Sequence, residues 1–405
     1  MLKRLQSVTR SIVAQPRLPG LLASTMALGT AYSFVIPFLS KWGTEEVGLT
    51  PTQFSIFMTL TTASSMVAGT TLARFSDTTF SRRKMLILGS SGGALGFVGY
   101  ALIRNPVILA CFGCSLHALA SICFAQVFAH AREYYRTVPR SGSGTALTMS
   151  ILRVCFSLAW TMGPAIGSVI LVSFGFRVLF LSAAGLWGLF LAGVLFFVPE
   201  CKRSRPDPGT PRPSLWQSLR NPQLALCVAT FASLFAANAI NMLNLPLAFT
   251  RTLGGTEKHL GIVFGIGPLV EIPLMIWFGH LANRGFTLGL IRFGFAVTAV
   301  YFAGLWLASE AWHVYLLQIL SGTSFAILTN VAILFFQDLM PDQVGLATAQ
   351  FTNSQMIGAL VGMFSFGFLV EALGHQGCFL VCSLLLCAAT ALSLRFRRLA
   401  AVPDE

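Results

Sequence analysis

The stretch Gly69-Thr-Thr-Leu72-Ala73-Arg74-Phe75-Ser76-Asp77-Thr-Thr-Phe-Ser81-Arg82-Arg83-Lys84 separates two runs of about 20 apolar residues, the length that crosses a bilayer as helix. A glycine and a Leu-Ala pair close the first run. An acid stands at the turn, and three consecutive cations open the second run.

Working outward, the same alternation continues along all 405 residues. The chain is 55% hydrophobic and 10% charged, with 35 Phe, too few polar groups to cover a water-facing surface. Twelve apolar runs are expected, at 18–40, 53–74, 85–103, 107–130, 143–174, 178–198, 223–249, 259–282, 287–307, 312–337, 344–371 and 377–395. Lipid offers no partner to an unpaired backbone group, so each run must cross as a helix. The expected fold class is an all-α membrane protein with twelve transmembrane helices.

The net charge of +13 is not a nucleic-acid signal, because its placement follows the membrane. With the N-terminus inside, 21 of the 27 Lys and Arg fall on the cytoplasmic side, and the opposite side holds five: Lys41, Arg104, Arg177, Arg251 and Lys258. Only Arg153 is left, inside a helix. This is the positive-inside pattern, and it puts both termini in the cytoplasm. The first apolar run lacks a small-residue cleavage site and stays as the first helix. The nine Cys lie mostly in the runs and behave there as small apolar residues. Cys111-x-x-Cys114 has no companion pair nearby, so no metal and no cofactor are expected.

The composition changes sharply at Pro199–Pro213, which is polar and proline-rich and cannot continue a helix. It divides the chain into an N-terminal bundle of six helices (1–198), a cytoplasmic linker (199–221) and a C-terminal bundle of six (222–405). A weak repeat supports the division: Gly69-x-x-Leu72-Ala73-Arg74 returns as Gly279-His-Leu281-Ala282-Asn283-Arg284, 210 residues later.

The Gly69–Lys84 turn resembles the short cytoplasmic loop between helices 2 and 3 of the major facilitator superfamily. Further strings narrow the resemblance: Phe128-Ala-His130-Ala-Arg132-Glu133-Tyr134, Ser157-Leu-Ala-Trp160 with Gly163-Pro164, Glu271-Ile-Pro273, Phe336-Gln-Asp338-Leu-Met-Pro341, and Phe351-Thr-Asn353-Ser354. Together they are similar to the bacterial sugar efflux transporters of that superfamily. The resemblance implies the major facilitator fold, a substrate site between two six-helix bundles, and proton-linked export of small sugars or glycosides across a bacterial inner membrane.

Residue roles follow from the chemistry within that frame. Gly69, Asp77, Arg82 and Arg83 suit a latch, since partly exposed charge pairs of ~0.2–1 kcal/mol can bias a two-state equilibrium. Glu133 and Asp338 hold corresponding places at the ends of helices 4 and 10 and join the gating group, as do Gly163 and Pro164, whose Gly-Pro-x-x-Gly pattern resembles that of exporting branches. Arg153 and Glu271 each lie near mid-membrane, where charge is costly and usually functional, so they are the proton-coupling candidates. Asn238, Asn241 and Asn244 recur at three-residue spacing on one arc of helix 7. With Gln126, Asn353, Gln355 and the indole of Trp160 they are the candidates for an uncharged, polyhydroxylated ligand, since amides both donate to and accept from hydroxyls.

The alternative within the fold is export of neutral hydrophobic drugs or metabolites. No zinc-binding His/Glu spacing, no Ser/His pairing at matched depth and no phosphate-binding loop occurs, so an enzyme is not expected. The expected partners are a small-molecule substrate, protons and the lipid bilayer, with no nucleic acid, and the chain is expected to be a monomer.

Overall fold

The structure is a computed structural model that describes residues 17–78, 81–137, 144–200 and 220–396. Most of the linker expected at 199–221, the Asp77 side chain and the N-terminal arm lie outside the described residues. The described residues form helices and turns and contain no strand.

In chain order, α1 spans Leu18–Val35 and runs on through a tighter 3-10 turn (Ile36–Phe38) and a wider π turn (Trp42–Glu46). It is followed by α2 (Pro51–Thr78), α3 (Arg82–Leu102) and α4 (Pro106–Tyr134). The caps are those expected of the sequence: Ser81 accepts from the Lys84 amide and Asn105 from those of Val107 and Ile108, satisfying N–H groups that a helix start leaves open. The helical stretch Gly144–Phe197, 54 residues long, is broken at Gly175, where φ is 77° and ψ 178°. That conformation is available in practice only to glycine, so the stretch is two helices, α5 (144–174) and α6 (176–197).

The second half repeats the plan. It contains α7 (Pro222–Arg251), α8 (Glu257–Leu281), α9 (Thr287–Leu307) and α10 (Ala311–Leu339). The stretch Val344–Ser393 breaks at Gly374 (φ 71°, ψ 176°) into α11 (344–373) and α12 (375–393). Gly374 thus does for α11 and α12 what Gly175 does for α5 and α6.

By their contacts the residues divide into two compact units, Met1–Phe38 with Leu60–Pro208, and Leu39–Thr59 with Gly209–Glu405. The hairpin 39–59, counted with the N-terminal bundle from its sequence, packs with the C-terminal helices. In the first unit α1 and α5 approach closely: a side chain at Gly163 would strike Ser33, and the Ser33 hydroxyl donates to the Ala159 carbonyl at 2.9 Å. This is the use of small residues that membrane helix packing favours. The second unit has an aromatic core in which Phe231 meets Phe295 and Phe336 at 5.1 and 5.2 Å between ring centres. Outward faces stay apolar, as lipid requires: Phe196 is 75% and Ile276 77% exposed.

Candidate functional site

In the first unit the gating candidates are drawn together at the ends of α3 and α4. Arg82 opens α3, and its Nε donates to Glu133 Oε2 at 2.8 Å. Its Nη1 donates to Gln126 Oε1 at 3.2 Å. Gln126 is buried, and its amide supports the ion pair. Arg83 donates to the Leu195 carbonyl at 2.7 Å, in the last turn of α6, where a cation compensates open carbonyls. In the second unit Arg292 of α9 donates to the carbonyls of Ser393, Leu394 and Phe396 at the end of α12. A cation on the third helix thus caps the sixth in each half.

Gly69 and Asp77 lie on the last turns of α2, and a side chain at Gly69 would meet open space. Gly163 and Pro164 sit inside α5 against α1. Trp160 lies one turn earlier, near Phe156, and its indole N–H is buried without a hydrogen-bond partner. Arg153 stands exposed on α5. His117 packs between Phe97 and Tyr100, with ring centres at 4.8 and 5.4 Å, as a packing residue.

In the second unit two of the three α7 amides, Asn241 and Asn244, look onto their own bundle. Asn241 Nδ2 donates to the Tyr301 hydroxyl of α9 at 3.1 Å, and Gln318 of α10 donates to the same oxygen at 3.3 Å. Asn241 Oδ1 is buried with no hydrogen-bond partner, which leaves one strong acceptor unused. Asn244 is fully buried: it donates to the His375 carbonyl at 2.8 Å, and its Oδ1 meets His375 Nδ1 at 2.7 Å. Both ends of that amide are therefore engaged in holding α7 to the start of α12. Asn238 on α7, Asn353 and Gln355 on α11, and Glu271 on α8 are each half-buried, and Asp338 is exposed near the end of α10. Glu271 precedes Pro273, one of two prolines inside α8.

Among the described residues no group of three His, Cys, Asp or Glu is placed to hold a metal ion. Sequence reading overlooked Tyr301, which gathers two of the amides, and a charge cluster on Lys41 and Glu45. The four-residue spacing of that last pair was the signal available for it.

The Major Facilitator Superfamily model matches residues 21–352. Sugar efflux transporter A of Dickeya chrysanthemi is 30% identical over 386 residues, 94% of this chain and 97% of the relative. The chain belongs to the sugar efflux transporter family of the major facilitator superfamily. The family member sugar efflux transporter A of Escherichia coli K12 is 28% identical over 373 residues, 91% of this chain and 93% of its own. A crystal structure of the nucleoside transporter NupG superposes with a TM-score of 0.78 over 94% of this chain and 98% of that one, at 14% identity. That likeness shows the fold alone. Membership in this superfamily makes the chain a multi-pass membrane transporter and not an enzyme.

Proposed function

We propose that this chain exports small sugars or glycosides across a bacterial inner membrane, by proton antiport with alternating access and with both termini in the cytoplasm. The observation that carries the reading is the end-to-end similarity to proteins named sugar efflux transporters, over 94% of this chain for one of them. Sugar recognition is assigned to Asn238, Asn241, Asn353 and Gln355, with the indole of Trp160 as stacking face and N–H donor. The unused Asn241 Oδ1 and Trp160 N–H support this assignment, since buried polar atoms without partners are costly unless a ligand satisfies them. Asn244 and Gln126, whose polar atoms are engaged within the protein, act as clamp and gate support.

Coupling is assigned to Glu271 with Arg153, and gating to Gly69, Asp77, Arg82, Arg83, Glu133, Gly163, Pro164 and Asp338. The carrier works as a monomer.

Flux in inside-out vesicles tests the reading. A labelled glycoside should accumulate in the lumen when the lumen is acid, and a protonophore should abolish this. Movement of a lipophilic dye with no movement of glycoside would replace it with the drug-exporter reading, toward which the more distant similarity to a multidrug resistance protein MdtG from Proteus mirabilis, 26% identical over 87% of this chain, points.

A further inference from the structure

Three side chains meet the hydroxyl of Tyr301. Asn241 and Gln318 donate to it at 3.1 and 3.3 Å, and it also bonds the side chain of Ser321. Tyr301 is only 2% exposed, Gln318 5% and Ser321 8%. Asn241 comes from α7, Tyr301 from α9, and Gln318 and Ser321 from α10. All four belong to the second unit, so the cluster depends on no arrangement of the two halves. Gln318 and Ser321 stand one turn apart on α10, and that spacing lets both reach the same phenol.

A phenol oxygen carries two lone pairs and one proton. Two amide N–H groups occupy the lone pairs, so the proton goes to the Ser321 hydroxyl, which can accept it. Nothing at the phenol is then left for an amide oxygen. The Asn241 amide is thereby held in one of its two orientations, with Nδ2 on Tyr301 and Oδ1 turned away from it. Oδ1 is buried and has no partner of its own, which is costly unless a donor arrives from outside the bundle.

The orientation of the amide decides what it can read. An amide that turns freely accepts in one position and donates in the other, and a sugar hydroxyl can answer both. An amide held with its oxygen free can only accept. It requires a hydrogen from its ligand at that point.

We propose that Tyr301 is a positioning residue of the sugar site: it holds Asn241 with Oδ1 free, so that the site takes one cargo hydroxyl as a donor and rejects a group there that can only accept. The proposal rests on the sugar reading and on Asn241 as a contact to the cargo, and it adds a chemical selectivity to both. Tyr301 acts through Asn241, since its own hydroxyl is committed within the bundle.

The test uses the full chain in inside-out vesicles and compares kcat/KM for a transported glycoside with kcat/KM for its monodeoxyfluoro analogues. Each analogue keeps an acceptor and loses one donor. At one ring position fluorine should lower kcat/KM about tenfold or more in the parent, as expected where a buried polar group is left unpaired. Asn241→Ala should erase that penalty and so identify the position. Tyr301→Phe should cut the same penalty severalfold, because the released amide can turn its N–H towards the fluorine. Ser321→Ala should act in the same direction, because the phenol proton then turns to an amide oxygen. Ser383→Ala serves as the control: it removes a hydrogen bond to the Ala299 carbonyl of α9, and should slow the glycoside and all its analogues alike. A penalty unchanged in Tyr301→Phe at equal amounts of membrane-inserted protein would overturn the positioning role. If Tyr301→Phe does not insert, an unchanged penalty in Ser321→Ala would overturn it. So would a set of penalties none of which Asn241→Ala erases. A parent that moves no glycoside at all would overturn the sugar reading, and this proposal with it, before any variant is compared.

Discussion

Arg82 and Glu133 form an ion pair of 2.8 Å between the first residue of α3 and the last turns of α4, with side chains 29% and 20% exposed. The arginine reaches Gln126 with a second nitrogen, so one planar fork ties two levels of α4 to α3. Glu133→Gln should lower stability by up to about 1 kcal/mol, the range for a partly exposed ion pair, because the glutamine oxygen can still accept from the arginine. Arg82→Lys should not substitute for the arginine, because an ammonium cannot span both partners. Thermal unfolding in detergent checks both; an Arg82→Lys protein as stable as the parent would refute the fork argument.

Gly163 faces Ser33 where α5 crosses α1. Gly163→Ala should sharply reduce the amount of folded transporter in the membrane, since its methyl group would occupy the place of the serine side chain. Adding Ser33→Gly should recover much of the loss by returning the space. Membrane expression and glycoside flux, measured on the single and the double variant, show whether the second change rescues the first.

Asn244 has both amide atoms on His375. Asn244→Ala should cost about 1–3 kcal/mol of stability through the partners it leaves unsatisfied. Its KM for sugar should stay near the parent value. A large rise in KM with unchanged stability would return Asn244 to the substrate ligands.

Asp77 sits at the end of α2, in the charged turn that leads into α3. Asp77→Asn should depress transport strongly while leaving substrate affinity within a few-fold, as expected of a residue that biases switching without touching cargo. Parallel measurements of flux and equilibrium binding separate the two, and normal flux at normal expression would remove the latch role.

Glu271 carries the coupling proposal. A carboxyl whose surroundings change between the two states of a cycle can load a proton in one and release it in the other. Glu271→Gln mimics the protonated form permanently. It should therefore still exchange labelled for unlabelled sugar while losing accumulation driven by a pH gradient. A variant that still accumulates sugar uphill would move coupling to Glu133 or Asp338.

Much of the fold was legible in the residues. Hydropathy and run length are local quantities, and a helix in lipid satisfies its own backbone, so the crossings could be read without knowing their neighbours. The breaks at Gly175 and Gly374 fall between apolar runs expected at 143–174 and 178–198, and at 344–371 and 377–395. The close approach of α1 and α5 was foreshadowed by the small residues of the Gly163-Pro-x-x-Gly167 pattern, although the serine it meets was not.

The polar residues divide differently. Three-residue spacing places Asn241 and Asn244 on one arc of α7, but spacing does not say what that arc faces. Only the packed bundle put Tyr301 opposite the first and His375, 131 residues away in sequence, opposite the second. Lys41 shows the same limit. By itself it counts as one of five cations on the sparsely charged side, and it acquires Glu257 only when the tail of α1 folds onto α8. The sequence by itself therefore determined which segments enter the membrane and which residue types they carry there, because transfer into lipid acts on each segment separately. Tertiary structure alone decided which polar groups use up their hydrogen bonds within the protein and which keep a free donor or acceptor, because that depends on each helix's rotation and on the neighbours it meets.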